Sequence, residues 1–375
     1  MNQLLSRLQV SRDKAKMEGL WRERRVLDKG LCDFASNDYL GLARDLRLAA
    51  ALNDGARRYG VGSGASPLVS GYHQAHQQLE QTLCHASGHE AALLFCSGFA
   101  ANLALCHALF TPEDTLIADK LIHASMIDGV LGSGARLRRY PHCDVSAAEK
   151  LLAQYPGTAL LTESIFSMDG DLAPLTELSA LCEARQSLLI VDDAHGFGVI
   201  GEAAMGASRL SGVRPALQII TFGKAMGCQG AAILGSRELI ETLVARARHY
   251  IYSTALSPAL AHVATEAIAI IASGNMHTKL HSNIDLFKRL SDDAGLALLP
   301  SSSPIQLLPV GSNALCLELG QRLREAGFLV GAIRPPTVPG PRLRITLSAS
   351  HTEDQIGALV KWLAVNSAAH GVDVS

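Results

Sequence analysis

Residues 188–198 read LLIVDDAHGFG, an apolar run that ends in two acids, a histidine and two glycines. A short apolar run bounded by polar and glycine residues is typical of a strand that is buried on both faces. Further runs of this kind alternate with longer segments of helical spacing. They are ALLF (92–95), LIAD (116–119), ALLTE (159–163), IITFG (219–223) and AAILG (231–235). The alternation predicts an α/β fold, with a mostly parallel sheet flanked by helices.

Polar side chains stand at the carboxyl ends of these predicted strands, where parallel α/β sheets bind their ligands. Asp192 and His195 follow one strand, Thr221 and Lys224 follow the next, and Glu163 ends a third. The spacing between Asp192 and Lys224 fits one strand–helix–strand unit. We therefore expect Asp192, His195 and Lys224 to converge.

The pattern along the chain predicts three regions. Residues 1–44 form an N-terminal helix and arm, with helical spacing to about residue 25 and a turn-rich segment after it. Residues 45–275 form the large sheet domain. Residues 276–375 form a smaller α+β domain, in which the strand-like runs 305–310 and 343–348 frame a helix-like segment.

The composition limits the partners and the compartment. Among 375 residues, 33 Lys and Arg stand against 35 Asp and Glu, so the formal net charge of -2 gives no reason to expect nucleic acid or membrane binding. Eight scattered cysteines without a CxxC pair, and an N-terminus unlike a signal peptide, favour the cytoplasm. Polar residues interrupt the apolar stretch 91–110, which predicts a strand end, a turn and a helix. The run 255–273 predicts a buried helix.

Three features together match the needs of pyridoxal 5'-phosphate (PLP). This cofactor needs a lysine for its aldehyde, an acid that keeps its pyridine nitrogen protonated, and a cradle for its phosphate. Lys224 and Asp192 are candidates for the first two. The segment SGFAAN (97–102) puts small residues at a predicted helix start, where free backbone N–H groups bind phosphate. Each feature alone has an ordinary structural explanation, but their joint occurrence favours a PLP site.

Eight short motifs stand in a fixed order over nearly the whole chain. They are NDYLGL (37–42), GSGASPLVSGYHQAH (62–76), SGFAAN (97–102), HAS (123–125), ESIFSMDGD (163–171), DDAHGFGVIGE (192–202), TFGKA (221–225) and IYST (251–254). In wording and order they resemble those of the α-oxoamine synthases. The resemblance implies a fold-type I PLP-dependent transferase that condenses an amino acid with an acyl thioester and releases carbon dioxide.

Two segments favour one branch of that family. SGASPLVSGY (63–72) and IRPPTVPGPRLRIT (333–346) are similar to those of the branch that condenses L-alanine with a pimeloyl thioester in biotin synthesis. The resemblance leaves open whether coenzyme A or an acyl carrier protein carries the acyl group. It also implies an obligate homodimer with shared active sites.

The resemblance implies a role for each matching residue. Lys224 would be the Schiff-base lysine, Asp192 the partner of the pyridine nitrogen, and His195 the partner of the ring's phenolic oxygen. His123 would stack on the ring face opposite the substrate. Further cofactor contacts are implied at Gly98, Phe99, Ser167 and Thr221, and at Ser253 and Thr254 toward the neighbouring subunit's phosphate. Substrate contacts are implied at Arg22, Asn37, His123, Thr337 and Arg344.

Several alternatives stay open at this point. A sister synthase that uses glycine and another acyl-CoA would share the same lysine, acid and histidine. A transaminase of the same fold matches the motif order less well, and a non-catalytic subunit would be expected to have lost Lys224. Two departures from the family pattern, 225–226 (Ala-Met) and Phe197, could reshape the pocket without removing the chemistry.

Four histidines, at positions 73, 76, 85 and 89, have a spacing that metal sites use. No carboxylate or cysteine pattern completes such a site. We therefore expect no metal there or elsewhere, and a helix surface that leads away from the substrate entrance.

Overall fold

A computed structural model describes residues 2–18, 20–21, 23–24, 26–27 and 30–368. The chain divides into two compact units, Met1–Cys32 and Asp33–Ser375. In the first unit, helix α1 (Gln3–Met17) is shorter than the helical spacing predicted. Arg22, predicted to bind substrate, lies outside the described residues.

A seven-stranded sheet lies at the centre of the second unit. Its strands are β2 (Ala91–Phe95), β3 (Thr115–Asp119), β4 (Arg136–Tyr140), β5 (Ala159–Glu163), β6 (Leu188–Asp192), β7 (Leu217–Thr221) and β8 (Ala231–Gly235), after a short β1 (Cys32–Asp33). Their order is β2-β8-β7-β6-β5-β3-β4. Strands β3 to β7 pair in parallel, and only β8 runs antiparallel to its neighbours β7 and β2. The prediction of a mostly parallel sheet is confirmed.

Helices follow the strands through the chain. They are α2 (Leu46–Tyr59), α3 (Gln74–Ser87), α4 (Gly98–Leu109), α5 (Ala124–Ser133), α6 (Val145–Gln154), α7 (Leu175–Ala184), α8 (Arg237–Arg246), α9 (Arg248–Ile251), α10 (Pro258–Ala272), α11 (Asn275–Asp293), α12 (Asn313–Glu325) and α13 (Glu353–Ala368). The predicted strand, turn and helix of 91–110 are therefore β2 and α4, and the predicted buried helix of 255–273 is α10.

Two buried apolar clusters lie on opposite faces of the sheet. One joins Ala118 and Ile190 with residues of α4 and α5. The other joins Ile117 and Val191 with residues of α6 and α7. Ile117 directly precedes Ala118 in β3, and Val191 directly follows Ile190 in β6. Because successive strand residues point to opposite faces, the sheet needs apolar residues at every position, and this explains its continuous apolar runs.

Strand β4 is missing from the sequence-based prediction, for a physical reason. Its residues are RLRRY, and Arg136, Arg138 and Arg139 are exposed. The strand pairs only with β3 and forms an edge of the sheet. Edge strands commonly carry charged side chains, which oppose pairing with another chain, so an apolar pattern does not find them.

The C-terminal part contains the two predicted strands. β9 (Ile305–Pro309) and β12 (Arg342–Thr346) pair antiparallel, and β11 (Gly331–Ile333) pairs with β12 on its other side. A short β10 (Phe328–Leu329) lies between α12 and β11, and the predicted helix is α12. The domain boundary near residue 275 stays a prediction.

Among the described residues, no single helix is long and apolar enough to cross a membrane. Helices α10 and α11 meet that requirement only when they are joined, across a bend of 65°.

Candidate active site

The predicted strand ends meet around a cavity of about 380 Å³. It lies at the carboxyl ends of β5, β6 and β7 and at the start of α4. Of the predicted site residues, Asn37, Gly98, Phe99, His123, Asp192, His195, Thr221 and Lys224 line it. Ligand pockets in proteins commonly have volumes of about 300–1,000 Å³, so the cavity is large enough for a small molecule.

The other predicted residues lie outside this lining. Ser167 and Arg344 lie nearby, because the carbonyl of Ser167 accepts a hydrogen bond from Arg344 Nε at 2.8 Å. Thr337 is exposed, and its N–H bonds the carbonyl of Arg334 at 3.1 Å. The sequence segment 253–254 (Ser-Thr) is exposed on the single chain.

Lys224 stands in a tight turn between β7 and β8. The N–H of Cys228 bonds the carbonyl of Phe222 at 2.7 Å, and the N–H of Gly227 bonds the carbonyl of Lys224 at 2.9 Å. Gly227 has a φ of 63°, and a Cβ there would lie 2.3 Å from the backbone N of Ala43. Only glycine fits this position, so the turn that holds Lys224 depends on it.

The surroundings of Lys224 favour its neutral amine. Burial lowers its pKa to about 8, and the positive charge of Arg344 acts in the same direction, while the carboxylates of Asp192 and Glu163 oppose the shift. A neutral amine is a nucleophile and a base, whereas the ammonium form is neither. The site therefore holds a lysine that is reactive near neutral pH.

This pKa predicts how the protein without PLP takes up the cofactor as pH changes. Below about 8 the amine is protonated, so the rate of imine formation rises about tenfold for each pH unit. Above that pH the rate levels off, because the amine is already neutral. Stopped-flow absorbance after mixing apoprotein with PLP measures this rate. A rate that keeps rising to pH 10.5, the range of an ordinary lysine, would contradict the assigned environment.

A chain of hydrogen bonds fixes Asp192 and connects it to His123. Asn102 Nδ2 donates to Asp192 Oδ2 at 2.8 Å, and the N–H of Ala194 donates to Oδ1 at 3.1 Å. Asn102 Nδ2 also contacts Ser125 Oγ at 2.9 Å, which in turn lies 2.7 Å from His123 Nδ1. The two groups predicted to contact the cofactor ring from its nitrogen and its face are thus held by one network.

Glu163 is a second carboxyl beside Asp192, because the two residues are partners in the register of β5 and β6. Burial raises the pKa of Glu163 well above its usual value, and the charge of Asp192 raises it further. Its Oε1 is buried, and no described residue gives it a hydrogen bond. Glu163 therefore holds its proton to a higher pH than an exposed glutamate does.

His195 belongs to a second chain of hydrogen bonds. Its Nδ1 lies 2.5 Å from Tyr39 OH, and Tyr39 OH also bonds the guanidinium of Arg344. Because a guanidinium only donates, the Tyr39 oxygen accepts from Arg344. The Tyr39 proton has two acceptors within reach, His195 Nδ1 at 2.5 Å and Asn37 Oδ1 at 3.4 Å, and the shorter contact favours donation to His195 Nδ1. Burial lowers the pKa of His195 well below its usual value, helped by the charges of Lys224 and Arg344. His195 is therefore neutral, with its one N–H on Nε2.

This assignment predicts the effect of Tyr39→Phe. Without the hydroxyl, nothing holds the proton on His195 Nε2, so the ring is free to adopt the tautomer that cannot donate toward the cofactor's oxygen. We expect kcat to fall roughly 10–100-fold, with an unchanged fold and retained PLP. Steady-state kinetics and the absorbance of the bound cofactor check this. An unchanged kcat would show that Tyr39 does not set the tautomer.

Arg344 carries a buried positive charge without an acidic partner. The described residues give it neutral acceptors: Ser167 O at 2.8 Å, Thr346 Oγ1 at 3.0 Å and Asn37 Oδ1 at 3.1 Å. Arg342, two residues earlier on β12, differs because its Nη1 bonds the Asp169 carboxylate at 2.8 Å. An uncompensated buried guanidinium suits an anionic ligand, so Arg344 remains available for a substrate carboxylate.

The start of α4 offers backbone N–H groups to the cavity. Ser97 caps the helix and accepts from the N–H of Ala100 at 3.2 Å. Gly98 and Phe99 stand in the first turn, where N–H groups have no partner within the helix. A Cβ on Gly98 would lie 2.5 Å from Thr221 Cγ2, so β7 and α4 approach this closely only because residue 98 is glycine.

Residues 29–363 match the family model described as aminotransferase class I and II. The 8-amino-7-oxononanoate synthase of Stenotrophomonas maltophilia is 45% identical over 380 residues, covering 96% of this chain and 93% of that protein. This chain belongs to the 8-amino-7-oxononanoate synthase family.

Solved structures support this membership. The 8-amino-7-oxononanoate synthase of Francisella tularensis is 32% identical, with a TM-score of 0.80 over 91% of this chain and 99% of that one. A serine palmitoyltransferase of S. paucimobilis, solved with bound PLP and myriocin, is 25% identical, with a TM-score of 0.91 over 99% of this chain and 100% of that one. The chain is thus a PLP-dependent enzyme of fold-type I.

The cavity of this synthase fits PLP on structural grounds. Three polar atoms around it are buried without a partner among the described residues: Asn102 Oδ1, Glu163 Oε1 and Thr221 Oγ1. Buried polar atoms in proteins are rarely left unpaired. The Thr221 hydroxyl can donate to a phosphate at the start of α4, which would give this atom the partner that it lacks.

The two departures from the family pattern do not reshape this cavity. Ala225, Met226 and Phe197 are each at most 2% exposed and do not line it. A Cβ on Gly198 would lie 2.4 Å from Ala225 Cβ, so these residues pack against each other behind the site. The three residues therefore belong to the core and do not form the wall of the cavity.

The expectation for the four histidines of the α3 region is wrong in part. His76 is buried, and its Nε2 lies 2.6 Å from the carbonyl of Leu256. His89 Nε2 lies 3.1 Å from Gln218 Oε1. Only His85 is exposed as predicted. The sequence spacing of the histidines does not distinguish those whose ring nitrogens contact buried acceptors from those that face water.

Sequence reasoning assigned no role to three residues of the site. Tyr39, Asn102 and Ser125 each lie inside a quoted motif, in NDYLGL, SGFAAN and HAS. Each is a polar residue inside a motif of mostly apolar or small residues, at a position where burial is expected. This pattern is the sequence signal that could have identified them. Such a residue needs a hydrogen-bond partner, and here the partners are Asp192, His123 and His195.

Proposed function

We propose that this synthase condenses L-alanine with a pimeloyl thioester and releases carbon dioxide, 8-amino-7-oxononanoate and the free thiol carrier, in biotin biosynthesis. One observation carries the proposal: Lys224, whose pKa is lowered to about 8, and Asp192 line the same cavity at the ends of β6 and β7. The family of the relatives supports the choice of substrates and product.

PLP would supply two things at this site: an aldehyde that binds amines, and a ring that withdraws electrons from the substrate's α carbon. We propose that Lys224 holds the aldehyde carbon and that Asp192 keeps the pyridine nitrogen protonated. His195 Nε2 donates to the phenolic oxygen, and His123 packs on the ring face. The phosphate binds at 97–99, with Thr221 close by.

We propose that Lys224 also moves the proton. After the substrate's amine has replaced it, Lys224 Nζ is a free base inside the cavity. It accepts the α proton of alanine and later returns a proton to the same carbon. The low pKa makes both transfers feasible, because a base near the working pH gives up its proton as readily as it takes one.

On the substrate side, we propose that Arg344 and Asn37 bind the amino acid's carboxylate. Arg344 Nη2 already donates to Asn37 Oδ1 at 3.1 Å, so the two side chains form one polar wall beside the cavity. A planar guanidinium with neutral partners provides the charge for a carboxylate. Roles for Thr337 and Arg22 in binding the substrate are also part of the proposal.

The remaining parts of the proposal concern partners and location. We propose a homodimer with shared sites, in which 253–254 reaches the phosphate of the neighbouring subunit. The exposed arginines of β4 are candidates for contact with coenzyme A or an acyl carrier protein. The scattered cysteines, which form no CxxC pair, support a reducing cytoplasm. We also keep the division into 1–44, 45–275 and 276–375 as a proposal.

A substrate comparison tests the proposed function. The PLP-loaded protein is incubated with alanine, glycine or serine, each with pimeloyl-CoA, pimeloyl carrier protein or a short acyl-CoA, and the products are identified by mass spectrometry. We expect 8-amino-7-oxononanoate from alanine and a pimeloyl thioester. Products only from glycine or serine would overturn the substrate assignment and leave the PLP site intact.

A further inference from the structure

Two histidines of α11 form an unexplained cluster outside the cavity. His277 and His281 are four residues apart, on one face of the helix. Their Nε2 atoms lie 3.0 Å from each other. The carbonyl oxygen of Val199 lies 2.9 Å from His277 Nε2 and 3.2 Å from His281 Nε2. Three electron-rich atoms thus form a nearly equilateral triangle.

Hydrogen bonds alone do not satisfy this triangle. If both Nε2 atoms carry protons, both must donate to one carbonyl oxygen from directions only roughly 60° apart, since the sides are 2.9, 3.2 and 3.0 Å. That crowds the two hydrogens, because the lone pairs of a carbonyl oxygen diverge much more widely. If one Nε2 is unprotonated, its lone pair faces the lone pairs of the Val199 oxygen. Every assignment of protons leaves one unfavourable contact.

A divalent cation satisfies all three atoms at once. Imidazole nitrogens bind zinc at about 2.0–2.1 Å, so ligands at right angles lie about 3.0 Å apart and tetrahedral ligands about 3.4 Å apart. The three measured sides, 2.9, 3.0 and 3.2 Å, lie at the near-octahedral end of this range. The three distances thus match those between the ligands of such a cation, and water would complete its coordination on the half-exposed side.

We propose that His277 Nε2, His281 Nε2 and the Val199 carbonyl form a binding site for a divalent first-row transition ion such as Zn²⁺ or Co²⁺. Two histidines four residues apart on a helix suit such ions, because neutral imidazole is one of their preferred ligands. The sequence-based expectation of no metal overlooked this pair.

The position of Val199 gives the site a structural role. Val199 lies in the loop after β6, four residues beyond His195. Asp192 is the last residue of β6. A cation bound to its carbonyl would tie this loop to α11. The ion would lie apart from the reacting atoms, so we expect it to stabilise the loop and take no part in the chemistry.

Another group of metal-binding residue types is less suitable. His142 Nδ1 bonds Asp119 at 2.9 Å and its Nε2 bonds Asp171 at 2.7 Å, with Cys143 beside them. Burial lowers the pKa of His142, but its bonds to Asp119 and Asp171 outweigh burial and raise the pKa to about 12. A metal would have to displace a tightly held proton there, whereas the described residues place no carboxylate on His277 Nε2 or His281 Nε2.

A titration with Co²⁺ tests the proposal. The PLP-loaded protein is treated with a chelator, dialysed and titrated with Co²⁺ alone, while calorimetry and visible absorbance are recorded. We expect one equivalent to bind with the weak absorption of a near-octahedral site. His277→Ala and His281→Ala should each weaken binding at least about tenfold. The matched control is His85→Ala, an exposed histidine of α3, which should bind as the wild type does.

A further variant separates ligation from folding. His277→Gln keeps an N–H that can donate to the Val199 carbonyl but removes the imidazole, so it should fold and still bind Co²⁺ poorly. Zn²⁺ should raise the Tm of the wild type and not that of His277→Gln. Wild-type protein that binds no Co²⁺ at about 1 mM, or His281→Ala that binds it with wild-type affinity, would overturn the proposal. Either result leaves the PLP site untouched.

Discussion

Lys224→Ala is expected to lower kcat by at least about 10³-fold, because the variant loses both the group that holds the cofactor's aldehyde and the base that accepts the α proton. The cavity that contains Lys224 lies at the carboxyl ends of β6 and β7, so the side chain can be shortened without touching the sheet. We expect a wild-type circular dichroism spectrum and Tm close to that of the apoprotein. Release of carbon dioxide from labelled alanine measures the loss.

The matched control is Lys120→Ala, which removes an exposed lysine at the end of β3. It should keep wild-type activity. If Lys224→Ala retained more than about a tenth of the wild-type kcat, another group would have to serve as the base, and the assigned role of Lys224 would be wrong.

Asp192→Asn should produce the second-largest effect, a fall in kcat of roughly 10²–10³-fold. An amide cannot hold a proton on the pyridine nitrogen, so the ring would withdraw electrons less effectively. The fold should survive, since Asn is nearly isosteric and its one carbonyl oxygen can keep one of the two bonds that Asn102 and Ala194 donate to the carboxylate. Kinetics and the absorbance spectrum of the bound cofactor measure the effect.

The neighbouring Asp193 provides a contrast for this variant. Its Oδ2 accepts from the N–H of Ala207 at 2.9 Å and from Gln218 Nε2 at 2.6 Å, and burial raises its pKa to about 6. It holds the loop in place and does not line the cavity. Asp193→Asn should therefore lower the Tm more than it lowers kcat. Equal losses of kcat in the two variants would contradict the role given to Asp192.

The sheet and the ends of its strands could be predicted because burial acts on short stretches of sequence. The apolar runs of β5, β6 and β7 indicated both the strands and the polar residues that follow them, and Asp192, His195 and Lys224 do meet in one cavity. Strand β4 could not be found in this way, because an edge strand has one exposed side and tolerates its arginines.

The contacts between distant segments could not be predicted from spacing. Tyr39 and His195 lie 156 residues apart, and Asn37 and Arg344 lie 307 apart, yet each pair forms a hydrogen bond. Local pattern contains no information about which loops the tertiary fold brings together. The family resemblance supplied part of this information, through the motifs that contain Asn37, His195 and Arg344. It did not give the positions of the protons or the buried packing of Phe197.

The most direct test of the central claim is to locate the cofactor's covalent attachment. The PLP-loaded wild type is reduced with borohydride and digested, and the peptides are analysed by mass spectrometry. We predict one pyridoxyl-phosphate adduct per chain, on the peptide of TFGKA (221–225) that contains Lys224. An adduct on another lysine, or a protein that binds no PLP, would contradict the account.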